Sequence, residues 1–141
     1  MAVRLLVAAL FGLYSSFVYG WSVDSLPDPR TNPEACGRDV KGWVCSPDGL
    51  VDEDTLSIIQ GNIVTIFEGT TPYSKLFCPA TGEDVSAELM AVIVKRVDGD
   101  GNPANKVAHF AYGVHNRFRV GSKDCGSGAV IVMSVEDRQV T

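Results

Sequence analysis

Four carboxylates lie directly after two apolar segments that we predict to be β-strands. They are Asp98, Asp100, Glu136 and Asp137, and the segments are residues 89–94 and 129–135. If the two strands are adjacent and parallel, their carboxyl ends share one edge of the sheet, where ligands tend to bind in such folds. Clustered carboxylate oxygens are the ligands that Ca²⁺ or Mg²⁺ requires. The pattern therefore suggests a divalent-cation site, and a metal there could also serve phosphate hydrolysis.

A plainer interpretation of the same residues is favoured. Residues 98–102 can form a solvated turn, and residues 136–138 can form a hairpin turn. Acidic side chains at alternate positions of the first turn imitate the start of an EF-hand loop, but the twelfth position holds His109 instead of Glu. That specific calcium motif is therefore excluded.

Other residue types that could do chemistry lack partners in the sequence. His109 and His115 are the only histidines. Six residues apart on a helix, they point about 240° from one another and cannot form one site. The serines that could act as nucleophiles have no plausible histidine and acid beside them, so a hydrolase triad is not supported. These serines are Ser86, Ser127 and Ser134.

The first 20 residues have the form of a secretory signal peptide. Arg4 precedes an uncharged run that extends to Tyr19, and Val18 and Gly20 suit the small positions before a cleavage site. An uncleaved anchor helix is the alternative, but the run is short for a membrane span. We predict cleavage near Gly20, so the mature protein would begin at Trp21 and enter the secretory pathway.

Four cysteines behind a signal peptide favour disulfides over free thiols or a metal site. They are Cys36, Cys45, Cys78 and Cys125, and no C-x-x-C spacing argues for zinc. Three connectivities are open to four cysteines. We favour Cys36 with Cys45 and Cys78 with Cys125, because the last two each lie ahead of a predicted strand and can meet at one end of a parallel pair.

The apolar pattern predicts the elements that position these residues. Asp52 suits the N-cap of a first helix that ends at Gly69, and Asn102 with Pro103 suits the start of a second. The first helix should bury Leu56, Ile59, Ile63, Ile66 and Phe67. The second should bury Val107, Phe110, Ala111, Val114 and Phe118. The two apolar segments are continuous, as in parallel strands covered on both faces, so strand, second helix and strand form a βαβ unit.

Composition limits the partners and the number of domains. The formal net charge is −5, and the basic residues are scattered along the chain. We therefore expect no nucleic-acid partner, since that affinity comes from Lys and Arg on phosphates. Residues 21–47 hold four prolines and two cysteines, which predicts an irregular lead-in pinned by a local disulfide. Residues 48–141 then form one α/β domain.

Two parts of the chain resemble a known family. The end, NRFRVGSKDCGSGAVIVMSVEDRQV from Asn116 to Val140, is similar to the helix-to-strand signature of the TPM domain. Trp21, Asp24 and the runs PDPRTNPEACGR and CSPDGLVDEDTL resemble the lead-in of one animal branch of TPM proteins, the modulator-of-levamisole-receptor family. The resemblance implies a TPM-type α/β/α sandwich that spans essentially all of residues 21–141.

The resemblance also implies a function and a location. Members of this branch are single-pass membrane proteins whose TPM domain lies at the extracellular face of the plasma membrane. They act as non-enzymatic auxiliary subunits of acetylcholine-gated cation channels, so channel subunits are the expected partners and no cofactor is expected. Other TPM proteins are reported as acid phosphatases or metal binders, which makes a metal-dependent acid phosphatase the alternative. Function in the superfamily varies by branch.

The chain departs from the family pattern at three residues and in where it stops. Phe118 replaces the usual Trp, Arg119 replaces a small residue, and Ser46 occupies a position that is often acidic. The family continues past Asp-Arg into an antiparallel strand, helices and a membrane anchor. We therefore expect a sandwich truncated after Thr141, secreted if that is the natural end, with an open strand edge at residues 129–135 and part of the sheet bare.

Overall fold

The computed structural model describes residues 20–69 and 74–141. The elements in chain order are β1 (Val44–Cys45), α1 (Glu53–Phe67), β2 (Lys75–Cys78), β3 (Glu83–Ser86), β4 (Glu88–Val94), α2 (Pro103–Phe118), β5 (Gly128–Ser134) and β6 (Gln139–Val140). The predicted signal peptide, up to Tyr19, lies outside the described residues. The fold is mixed α/β, as the sequence predicted.

A four-stranded sheet in the order β1-β4-β5-β6 forms the centre of the fold. β4 pairs in parallel with β5, in register from Glu88 opposite Gly128 to Val94 opposite Ser134. Since α2 connects these two strands, the predicted βαβ unit is confirmed. On the other side of β4, the lead-in supplies β1 as a second parallel neighbour.

β4 is covered on both faces, which explains its continuous apolar sequence. On one face Met90, Val92 and Val94 join the core that α2 covers. On the other face Leu89, Ala91 and Ile93 join a smaller core that contains Leu56 and Ile63 of α1.

Both helices begin where the sequence predicted. The Asp52 carboxylate accepts a hydrogen bond from the Thr55 N–H at 2.9 Å, and the Asn102 side chain accepts one from the Ala104 N–H at 2.9 Å. All five residues of the predicted α2 face are buried. The prediction for Phe67 of α1 is wrong, because at the end of the helix its side chain stays 41% exposed.

A separate antiparallel hairpin of β2 and β3 was not predicted. Its strands are short and mostly exposed, so they carry no periodic apolar signal. Cys78 at the end of β2 joins the hairpin to the loop before β5 through its disulfide with Cys125.

The edge of β5 is only partly open. β6 pairs antiparallel with the end of β5, because the chain reverses through Arg138 in a left-handed conformation. The open edge predicted for residues 129–135 is therefore wrong at its far end. The expected bare part of the sheet is present, since Ile131, Met133 and Val140 are exposed beside the area that α1 covers.

Candidate functional site

The carboxyl ends of β4 and β5 meet at one edge of the sheet, and Asp137 is the most firmly held carboxylate there. Its Oδ1 lies 2.8 Å from the Lys106 ammonium, and both side chains are nearly buried, at 8% and 11% exposed. Its Oδ2 accepts hydrogen bonds from the Ser134 hydroxyl at 2.6 Å and from the Val97 N–H at 3.0 Å. Asp137 is thus surrounded by donors.

These donors control the ionisation of Asp137. Burial works to raise the pKa of this carboxyl, but the hydrogen bonds from Lys106 and two neighbouring groups outweigh burial and hold the pKa below its ordinary value. Lys106 also donates to the Val97 carbonyl at 3.0 Å. The pair therefore joins the first part of α2 to the turn after β5, and its evident role is structural.

The other three predicted ligands lie apart from this pair. Glu136 forms an exposed ion pair with Lys95 at 3.5 Å, the Asp98 carboxylate accepts from the Gly99 N–H at 2.9 Å, and Asp100 is exposed. Within residues 20–69 and 74–141, no group of three or more His, Cys, Asp or Glu side chains could hold a metal ion. A cation bound by Asp137 would have to compete with Lys106 for its Oδ1.

Asp48 also reaches this edge, which sequence reasoning missed. Its carboxylate accepts from the Trp21 indole N–H at 3.0 and 2.9 Å and from the Lys95 N–H at 2.6 Å. The loop after β1 carries it there, because β1 runs parallel to β4 and ends at the same edge. A strand of two residues leaves no pattern in the sequence that could have revealed this.

A cationic clamp holds the lead-in to the end of α2. The Arg30 guanidinium lies over the rings of both Trp43 and Phe118, at 5.3 and 5.8 Å from their centroids. It forms an ion pair with Asp28 at 2.7 Å and donates to the Phe118 carbonyl at 2.6 Å. Charge, stacking and hydrogen bonds therefore act on the same side chain.

Arg117 holds the lead-in from the helix side. Its guanidinium donates to the carbonyls of Val23 and, at 2.7 Å, Leu26, and it lies 4.9 Å from the centre of the Phe118 ring. The Phe118 ring therefore contacts two cations, Arg30 and Arg117. At the end of α2, Arg117 and Phe118 thus both contact the lead-in of residues 21–47.

Both favoured disulfides are present. Cys36 and Cys45 have Cα atoms 4.4 Å apart, and Cys78 and Cys125 have Cα atoms 4.6 Å apart, as disulfide geometry requires. The first bridge closes the lead-in on itself, whereas the second anchors the loop between α2 and β5.

The fold and these contacts define a small disulfide-bonded α/β domain with a clamped N-terminal lead-in. In the described part of the chain, neither helix has the length and apolar character needed to cross a membrane. The chain matches the family described as Modulator of levamisole receptor-1 over residues 21–138, and it belongs to that family. The wider TPM relationship and the continuation past Thr141 stay predictions.

Two further comparisons bear on the fold. No curated protein sequence matches the chain significantly. The solution NMR structure of the N-terminal domain of a protein from P. gingivalis is similar, with a TM-score of 0.53 and 14% sequence identity, over 86% of this chain. This chain spans 60% of the length of that structure, and the likeness shows a shared fold alone.

Proposed function

We propose that this protein is an extracellular, non-enzymatic auxiliary subunit that modulates an acetylcholine-gated cation channel of the levamisole-sensitive type. The family match over residues 21–138 carries the proposal, because the description of that family is Modulator of levamisole receptor-1. Two disulfides agree with a location outside the cell, since disulfides persist in oxidising compartments. Subunits of the channel are the proposed partners.

The clamp supports a role in binding rather than in chemistry. Arg30 and Arg117 fix the lead-in against α2 through rings, carbonyls and an ion pair, so lead-in and domain offer one rigid surface. Rigid surfaces lose less conformational freedom when they bind a partner. We therefore place the receptor contact on the lead-in side of the domain.

The test is co-expression of the chain with levamisole-sensitive receptor subunits in oocytes, with acetylcholine-evoked current as the measurement. One version is the chain as it stands, and a second carries an added transmembrane helix that raises its concentration beside the receptor. We expect a larger or altered current with the tethered version. Arg30→Ala should reduce the effect, whereas Lys41→Ala, which changes an exposed lead-in cation, should leave it unchanged.

Two results would contradict the proposal. The first is an unchanged current with both versions while the protein is detected at the cell surface. The second is metal-dependent hydrolysis of p-nitrophenyl phosphate by the oxidised protein that Asp137→Ala abolishes without unfolding it. That outcome would favour the alternative acid phosphatase.

A further inference from the structure

A cleft of about 620 Å³ opens beside the end of α2. Because α2 runs back from the carboxyl ends of the strands to their starts, the cleft lies at the opposite end of the sheet from Asp137. Its lining includes His115, Asn116 and Arg119 at the helix end and Ser122 and Lys123 of the following loop. The volume lies in the range of ligand sites in proteins, about 300–1,000 Å³.

The lining is basic although the chain is acidic. Arg119 and Lys123 line the cleft, and no carboxylate does, whereas the whole chain carries a formal net charge of −5. Among the described residues, neither Arg119 nor Lys123 forms an ion pair with a carboxylate. Glu88, which approaches the same loop, is bound to the Gly121 N–H at 2.7 Å. Two cations are therefore available to a negatively charged ligand.

The cleft is formed in advance of any ligand. Arg119 caps α2 in a left-handed conformation, with φ of 51°, and its N–H donates to the His115 carbonyl. The loop that follows packs so closely that a Cβ at Gly128 would lie 1.8 Å from the Val120 carbonyl oxygen. The disulfide of Cys125 holds the same loop to the hairpin. A preformed site lowers the entropic cost of binding.

An apolar surface adjoins the basic lining. A second hollow, lined by Ala111, Tyr112, His115 and Val130, shares His115 with the cleft. Tyr112 is 71% exposed. A free inorganic anion would use only the cations, whereas a peptide could place carboxylates on the cations and an apolar side chain on the tyrosine ring.

We propose that this cleft binds an acidic segment of a partner protein, with carboxylates paired to Arg119 and Lys123 and an apolar neighbour packed on Tyr112. The inference goes beyond the channel role, because it rests on the chemistry of the cleft and not on the family. It also gives a use to Arg119, which the lead-in clamp leaves free.

The test is an NMR titration of isotope-labelled, oxidised protein secreted from cells that express the full chain. The probe is the acetylated and amidated peptide Glu-Asp-Phe-Glu-Asp, and its control is the neutral Gln-Asn-Phe-Gln-Asn. We expect the acidic peptide to shift the amides of residues 112, 115, 119 and 123, and this binding to weaken as salt is added. The neutral peptide should cause no such shifts.

The decisive variant carries Arg119→Asn and Lys123→Gln. Asn accepts the left-handed conformation at position 119, so the turn is preserved while both charges are lost. Loss of two exposed charge pairs should weaken peptide binding about tenfold. Lys41→Gln with Arg96→Gln removes the same charge from exposed positions elsewhere and should leave affinity within about twofold. Lys123→Glu alone gives a charge reversal if the double variant does not fold.

Four outcomes would overturn the proposal. The neutral peptide could bind as well as the acidic one, or the cleft variants could bind like the unmodified protein. Inorganic phosphate could produce the same shifts at the same concentration, which would make the cleft a general anion site. Vesicles containing phosphatidylserine could bind these residues more tightly than the peptide, which would make it a membrane contact.

Discussion

Replacing Lys106 with methionine should destabilise the protein far more than the same replacement of Lys95. Both lysines pair with carboxylates of the turn after β5. The Lys106 to Asp137 distance is 2.8 Å with both side chains nearly buried, whereas the Lys95 to Glu136 distance is 3.5 Å with side chains 52% and 43% exposed. The chemistry of the two pairs is the same, so burial is the main variable between them.

The expected difference in unfolding free energy depends on whether each replacement leaves a buried carboxylate without its cation. Breaking a buried ion pair costs about 3–5 kcal/mol because one charge stays buried without its partner. Ser134 and the Val97 N–H still donate to Asp137, so we expect about 2–3 kcal/mol for Lys106→Met. An exposed pair contributes about 0–1 kcal/mol. With a urea dependence of about 1.5 kcal/mol per molar, the midpoint for Lys106→Met should fall by about 1.7 M.

Equilibrium urea unfolding of the oxidised variants at pH 7, followed by tryptophan fluorescence, measures this difference. Similar losses of stability in the two variants would refute the reasoning that burial makes the Asp137 pair important. A second variant, Lys106→Met with Asp137→Leu, removes both charges and should recover part of the loss. Failure to recover any of it would point to damage in α2 instead of an unpaired carboxylate.

Three further predictions concern the same fold. Replacing Cys78 and Cys125 with serine should lower the unfolding free energy by about 4 kcal/mol on the chain-entropy model, since the bridge spans a sequence separation of 47. Unfolding in urea tests this, and a loss near zero would show that other contacts hold the loop. The pKa of Asp137 in the folded protein lies below its ordinary value of 3.8. The stability that the Asp137 carboxylate contributes is therefore present above pH 3.8 and is lost as the pH falls through the pKa of the folded state. Asp137→Asn should therefore be less stable at pH 7 and lose stability less steeply in acid, and parallel acid unfolding curves would contradict this. Gly128→Ala should cost more than about 2 kcal/mol of stability, because the added Cβ would lie 1.8 Å from the Val120 carbonyl oxygen. Gly61→Ala in α1, where a Cβ would meet nothing within 4 Å, should be neutral or stabilising by up to about 1 kcal/mol. Equal effects of the two changes in thermal unfolding would be inconsistent with this explanation.

The βαβ unit could be predicted because its signals are local. The Asn102 cap and Pro103 mark the start of α2, and a period of 3.6 residues marks its buried face. The two strands of the unit are marked by continuous apolar sequence, although only β4 is covered on both faces and β5 is exposed at Ala129, Ile131 and Met133. The pairing of Cys78 with Cys125 then follows from parallel strands that begin at the same end.

The lead-in could not be predicted in the same way, because distant residues hold it in place. β1 has two residues and gains its hydrogen bonds from β4. Arg30 finds its ring partners only when Trp43 and Phe118 are brought together by the fold. Likewise the four predicted ligands follow the expected strands, whereas the ion pair between Lys106 and Asp137 depends on how α2 packs against the turn after β5.

The position of β1 sets an order in which the parts of this chain can assemble as the ribosome makes it. β1 is synthesised before α1, the hairpin and β4, although β4 is the strand that receives it. Arg30 donates to a carbonyl 88 residues further along the chain. A nascent lead-in can therefore close its bridge between Cys36 and Cys45, which spans a separation of 9, long before it can dock. Until α2 has emerged, the lead-in would be a disulfide-closed loop that has not yet docked on the rest of the domain.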